Sequence, residues 1–380
     1  MKTVICNILR VLKTSPLLCK GRKVQCINLL LICLVLFLSG CGNNSSTRSF
    51  CWWQRTFRLS AQEQSILKAT KANHLYIRYF DVDWNNTQRC ALPVGTTIVE
   101  SVPPCDFTPS VFITNKVFEH ATQPMLDTLA IHIRSRVEMV NRQLLTLALK
   151  DSLTGNINAP NLIRQWTELL IDCDWTAGTR ENYFYFLRRL EEQFPRKALS
   201  ATLRLWQFKH RDISGIPPVN RCLLMCYNLS NPKAPHTANS IGSAKELDEY
   251  LTQSNYPHHL DVALPIFGWG VVFHNGKWLG LLGNADVQSF RRDTTHYKEV
   301  TVNRFVLQKD TVIGQHYLRY GDEIRMETIR PKELESMVKL IKKRLSLRSN
   351  SRLTLFSLDP HYVNQYGTEE LLRIYSLFEH

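Results

Sequence analysis

No apolar stretch in this sequence is long enough to cross a bilayer as a helix, which takes about 20 residues. The best candidate, Leu29 to Leu38, is too short by half. There is no Cys-x-x-Cys, and no His pair is spaced to join one, so no metal site and no cofactor are expected. Long basic runs are also missing, and no helical stretch is studded with Arg and Lys on one face. Nucleic acid is therefore not expected as a partner. The formal charge of +14 is partly local, because Lys2, Arg10, Lys13, Lys20, Arg22 and Lys23 all precede Gln25. Removing those six from 47 basic residues leaves 41 against 33 acidic ones, or +8. An excess of that size suits an anionic membrane surface. With 44% hydrophobic and 21% charged residues, the chain reads neither as disordered nor as a polytopic membrane protein.

What is present begins with an address. A basic segment, the apolar run Leu29 to Leu38 and then Ser39-Gly40-Cys41 form a signal-peptide pattern. Leu38 to Cys41 resembles the lipobox of bacterial lipoproteins, which implies cleavage before Cys41 and a lipid on its sulfur. The basic segment is long for a signal, and a translation start near Leu17 would give the usual length. The expected organisation is a signal peptide over 1–40, an anchor and flexible tether over 41–70, and a folded domain over 71–380. The expected location is the bacterial cell envelope, on a membrane and face left open. Cys51, Cys90 and Cys105 lie in loop-like sequence where an oxidising envelope would permit one disulfide. Cys173, Cys222 and Cys226 sit in apolar runs as small hydrophobes.

From Lys71 onward, short β-like runs alternate with helix-like ones, the pattern of an α/β fold with a parallel sheet. The strand candidates are 74–84, 111–118, 168–175, 199–207, 222–228, 261–269 and 353–359, several of them nearly continuous in apolar residues. Seven strands point to a (β/α)8 barrel with one strand unplaced, expected between Phe118 and Leu162. Tyr183, Phe186, Leu187, Leu190 and Phe194 form one helical stripe, and Ser243 to Glu246 opens a capped helix. Helices are also predicted over Met125 to Lys150 and Pro331 to Ser346. Between about 270 and 330 the pattern changes, and Asn275-Gly276 is a hairpin signal for a small β-rich insertion.

The stretch Leu169 to Thr176 puts acid on an apolar strand. Asp172 and Asp174 lie two apart, so both carboxylates leave an extended chain on one side. Trp84, Trp175, Trp206 and Trp269 fall at the ends of four predicted strands, where an α/β barrel keeps its site. Flat indoles backed by hydrogen-bonding groups suit sugar rings. Asp83, Asp359 and Glu181 complete the catalytic candidates, and Gln207, Tyr227 and Asn228 join the four Trp as binding candidates. Arg78 and Arg204 lie inside strand runs and each needs an acid, for which Asp172 is a partner. Such a pairing leaves Asp174 as the better catalytic candidate.

Ile171-Asp172-Cys173-Asp174-Trp175 resembles the end of the Asp-Gly-x-Asp-x-Asp-x-Glu motif of the chitinase family, glycoside hydrolase family 18. Leu224 to Asn228 is similar to that family's Met-x-Tyr-Asp, and Ala263 to Gly268 to its Gly-Leu-Pro-x-Tyr-Gly. Phe356 falls where the family usually has Trp. The chain is also similar to uncharacterised bacterial lipoproteins with the same barrel signature. The resemblance implies an eight-stranded barrel that acts on or binds a glycan. It also places Thr176 at the family's catalytic Glu and Asn228 at its acid after Tyr. Two readings follow: a lipid-anchored glycan hydrolase using other carboxylates, or a non-catalytic glycan-binding or envelope-assembly lipoprotein.

Overall fold

The computed structural model describes residues 47–153, 166–283 and 285–379. The expected signal peptide, Cys41 and the first residues of the expected tether lie outside them. Eight parallel strands form the barrel: β1 (Thr47–Trp52), β2 (His74–Asn85), β3 (Asp106–Ile113), β4 (Glu168–Asp172), β5 (Ala198–Arg204), β6 (Arg221–Met225), β7 (His259–Pro265) and β8 (Arg352–Phe356). They pair in sequence order, and β1 closes the ring by pairing with both β8 and β2. This is a (β/α)8 barrel.

The helices around it are α1 (Ala61–Thr70), α2 (Asn115–His120), α3 (Gln123–Leu153), α4 (Arg180–Gln193), α5 (Leu205–Lys209), α6 (Arg211–Ser214), α7 (Ala244–Tyr250), α8 (Val287–Arg292), α9 (Pro331–Arg344), α10 (Pro360–Tyr366) and α11 (Thr368–Glu379). Local chemistry explains several boundaries. Ser60 and Glu63 make a reciprocal capping box at the start of α1. Ser243 caps α7 by accepting the Glu246 N–H, and Leu247 and Leu251 point inward from there. Tyr183, Phe186, Leu187 and Leu190 form the buried stripe of α4.

The strand missing from the sequence reading is β1, and it lies before residue 71 rather than between Phe118 and Leu162. The described part of 118–162 is α2 and α3. Thr47 to Thr70 is therefore barrel rather than tether, and Cys51 is a buried strand residue rather than a loop thiol. Its position explains why: Phe50 and Trp52 pack outward under the helices while Ser49 and Cys51 face the barrel interior. Cys51, Cys90 and Cys105 are all free thiols.

Other boundaries move as well, and the strands predicted over 168–175, 222–228 and 353–359 each end three residues earlier. β3 starts five residues earlier than predicted and ends before α2. β5 stops at Arg204, where Gln207 reaches back to the Arg204 N–H and turns the chain into α5. β7 stops at Pro265, and Gly268–His274 is a separate strand of the insertion.

That insertion is a five-stranded antiparallel sheet between β7 and α9, with a small core of its own around Phe290, Phe305, Ile324 and Met326. Its first hairpin turns at Asn275 and Gly276, which have φ of 49° and 72°, the left-handed pair that a two-residue turn requires. No described helix is long and apolar enough to cross a membrane.

Inside the barrel the side chains sort by height. At the N-terminal end of the strands Arg352 bonds Glu168 at 2.7 Å and Tyr76 at 3.0 Å, and Arg221 bonds Asp261 at 2.8 Å. Burial pushes the Asp261 carboxyl up, but His259, Arg352 and Arg221 outweigh it and hold the group below its usual range. Above this charged plug lies an apolar layer of Cys51, Leu170, Leu223 and Ala263 around Tyr76. Asp172, the last residue of β4, comes next, at the mouth.

Candidate functional site at the barrel mouth

A cavity of about 740 Å³ opens at the C-terminal ends of the strands. Its polar groups include Asp172, Asp174, Thr202, Arg204, Asn228 and Asp359. Its apolar wall is a chain of rings centred on Phe356, which lies 5.9 Å from Trp53, 5.6 Å from Tyr227 and 5.8 Å from Phe267 between ring centroids. Phe267 continues the wall to Trp269 at 5.2 Å. The insertion fixes Trp269, whose indole N–H donates to Glu327 at 2.8 Å, while Glu327 is held by Arg325 at 2.6 Å.

The two acids of β4 share this cavity but differ in environment. Asp172 accepts the Thr202 hydroxyl at 2.7 Å and has no direct ion pair among the described residues. Burial pushes its carboxyl up, the Thr202 hydrogen bond opposes that, the charges of Asp174 and Asp81 add to it and the charge of Arg204 offsets part of it, leaving the group at about 7. Asp174 is instead paired with Arg204 at 3.1 Å, with both side chains close to half exposed. The expected pairing is thus reversed: Arg204 takes Asp174, Arg78 takes Asp81, and Asp172 has no direct ion pair among the described residues. Asp172 becomes the acid with the more unusual chemistry, and Asp174 the one that is tethered.

A second groove of about 780 Å³ adjoins the first and shares Asp174, Arg204, Tyr227, Asn228 and Trp269 with it. Trp206, on α5 and 45% exposed, stands in this groove. Thr176, in the place of the family's Glu, also borders it, with its N–H bonded to the Thr179 hydroxyl at 2.9 Å. Burial pushes the Tyr227 phenol well up, so it is a neutral hydrogen-bonding group at the junction.

Several candidates fall elsewhere. Asp83 lies past the last residue that β3 pairs with, because β2 overruns the barrel rim into a hairpin with Cys90–Val94. It accepts the Thr114 hydroxyl at 2.6 Å and the Trp84 N–H at 2.8 Å, bonds that hold it below the usual carboxylate range. Trp84 packs on His120 with ring centroids 5.4 Å apart, and neither residue lines the cavity or the groove. Glu181 is exposed in the first turn of α4 and pairs with Arg180. Trp175 and Gln207 border the second groove but serve packing. Trp175 is 2% exposed, stacks on Tyr183 and donates to the Ser214 carbonyl at 2.9 Å. Gln207 is fully engaged by the Arg204 N–H and the Trp175 carbonyl.

The sequence reading missed Trp53, Thr202 and Thr354. Trp53 carries a period-two signal after Phe50 and Trp52 reading as one face, but it was assigned with the tether. Thr202 and Thr354 carry no chemical signature of their own. Among the described residues no cluster of His, Cys, Asp and Glu converges to hold a metal ion.

Compared with known protein families and with curated proteins, the sequence matches none. Among solved structures, the chain is similar to the Bacillus cereus spore cortex-lytic enzyme SleL, at 13% identity and a TM-score of 0.44, covering 88% of this chain and 74% of that one. It is similar to the xylanase and alpha-amylase inhibitor protein XAIP-II from Scadoxus multiflorus at 10% identity and a TM-score of 0.41, covering 87% and 98%. Concanavalin B gives 10% identity and a TM-score of 0.38, covering 87% and 99%. These overlays are loose, and the fold assignment rests on the strand order of the barrel itself.

Proposed function

We propose that this chain binds a glycan in the barrel mouth, as a lipoprotein of the bacterial cell envelope anchored through Cys41. The observation that carries the binding reading is the composition of one cavity. A continuous wall of five aromatic rings shares it with carboxyl, amide and guanidinium groups. Sugar rings have apolar C–H faces and polar edges, and a site of that make-up meets both. The anchor is supported by Leu38 to Cys41 in the sequence. Fatty-acid labelling of cells that is lost in Cys41→Ala tests it, and label persisting in that variant refutes it.

One observation favours a second reading, hydrolysis. Asp172 holds its proton near neutral pH, as a general acid must, and the residue that the chitinase resemblance would use is Thr176. Asp174, tied to Arg204, would then position substrate.

A glycan array probed with the full chain in detergent tests binding, and assay of reducing ends on each hit tests cleavage. Trp269→Ala is expected to weaken binding by about 1–3 kcal/mol, because it removes one end of the ring wall. Release of reducing ends that stops in Asp172→Asn supports the enzyme. Binding without release identifies a binding protein, and no binding to any glycan sinks the proposal.

A further inference from the structure

The mouth cavity is unbalanced in charge. It is lined by three carboxylates and one guanidinium. Arg204 pairs directly with Asp174 and reaches Asp172 only through its longer-range charge, so neither Asp172 nor Asp359 has a direct ion pair among the described residues. Asp172 accepts only the Thr202 hydroxyl, and Asp359 accepts the His361 N–H as the cap of α10. Two acids sharing one already paired guanidinium are costly beside a wall of rings whose faces carry partial negative charge.

A second observation is independent of the acids. Thr354 on β8 is fully buried, lines the same cavity, and its hydroxyl has no hydrogen-bond partner among the described residues. Buried hydroxyls are normally satisfied, so this one can take a polar ligand atom at the cavity floor.

We infer that the cavity recognises a glycan bearing a free amino group, taken as its ammonium. The inference rests on the glycan reading above. An ammonium is the group that answers all three features together. It supplies donors to Asp172 and Asp359, its charge is attracted by the faces of Trp53 and Phe356, and the sugar that carries it brings hydroxyls for Thr354. An acylated amine lacks the charge and gains nothing from the two acids beyond an ordinary hydrogen bond. Because burial keeps Asp172 near neutrality, an arriving cation also favours the ionised carboxylate.

The test compares a glucosamine oligomer with its fully N-acetylated counterpart of equal length, by titration calorimetry on the full chain in detergent at pH 7. The free-amine oligomer is expected to bind about tenfold or more tightly. Asp172→Asn and Asp359→Asn should each remove most of that preference, costing the free-amine oligomer more than the acetylated one. Asn at 359 can still cap α10, so this variant should fold. Equal or tighter binding of the acetylated oligomer overturns the inference and leaves the glycan reading intact. Equal losses for both oligomers in variants with native unfolding transitions also overturn it. Binding of neither oligomer, with none to other glycans on the array, overturns both.

Discussion

Asp172 is buried in a way that opposes its charge. Its carboxyl stands at about 7 in the folded chain against an ordinary 3.8, chiefly because burial disfavours the charge. A carboxyl raised on folding contributes stability that is present below its unfolded value and lost as pH climbs through the folded one. Asp172→Asn should therefore be nearly neutral at pH 4 and stabilising at pH 8, by roughly 2–4 kcal/mol. Denaturant unfolding at the two pH values reads this directly, and equal stabilities at pH 8 would refute the buried-acid account. Retention of an acid at that cost is the pattern of a residue kept for ligand chemistry. Trp175 shows the reverse: it is as aromatic as Trp269, yet its contacts with Tyr183 and the Ser214 carbonyl make it part of the core.

At the level of elements, β4 and β8 divide their lengths between stability and site. Glu168 and Arg352 open these strands in the buried charged plug, and Asp172 and Phe356 close them at the mouth. Removing one partner of a buried pair leaves the other uncompensated, which typically costs about 3–5 kcal/mol. Arg352→Met is expected to cost that much, read as a lower denaturation midpoint, because Glu168 and Asp261 both lose their shared cation. Ligand affinity of the folded fraction should be unchanged, since the apolar layer of Leu170 and Leu223 separates plug from mouth. A midpoint within about 1 kcal/mol of the parent would mean that the plug is solvated or repacks. The same strands show what is legible in sequence. An apolar run ending in acid reveals β4, and alternation places Asp172 and Asp174 together. The Arg204–Asp174 pair is invisible there, because it depends on the register of β5 against β4. Asp83 and Glu181 lie away from the cavity for a related reason, as nearness to a strand end in sequence says nothing about the rim or about which way a helix turn faces.

For the whole molecule, the decisive strand is the first. Its six residues are too few, and begin too polar, to stand out beside the longer runs, yet β1 is what turns an open sheet into a closed barrel. Without it β2 and β8 become edges, the outward face loses Phe50 and Trp52, and the mouth loses Cys51 and Trp53. Burial of Phe50 and Trp52 alone is worth roughly 3–6 kcal/mol, a large part of the 5–15 kcal/mol that a folded chain has in total. The ladder bonds of two strand pairings are lost as well. A chain cut to 71–380, the domain that strand-counting from Lys71 would suggest, should therefore fail to unfold cooperatively and should aggregate through its open edges. A chain of 42–380 should give a single transition. Thermal unfolding followed by near-ultraviolet circular dichroism compares the two, and a cooperative melt of 71–380 within a few degrees of the longer chain would show that β1 is dispensable. A synthetic peptide of residues 46–70 gives the complementary measurement. Because β1 pairs in parallel on both sides and carries its own outward packing in α1, the peptide should bind 71–380 and restore the near-ultraviolet signal of the closed mouth, in which Trp53 stands against Phe356.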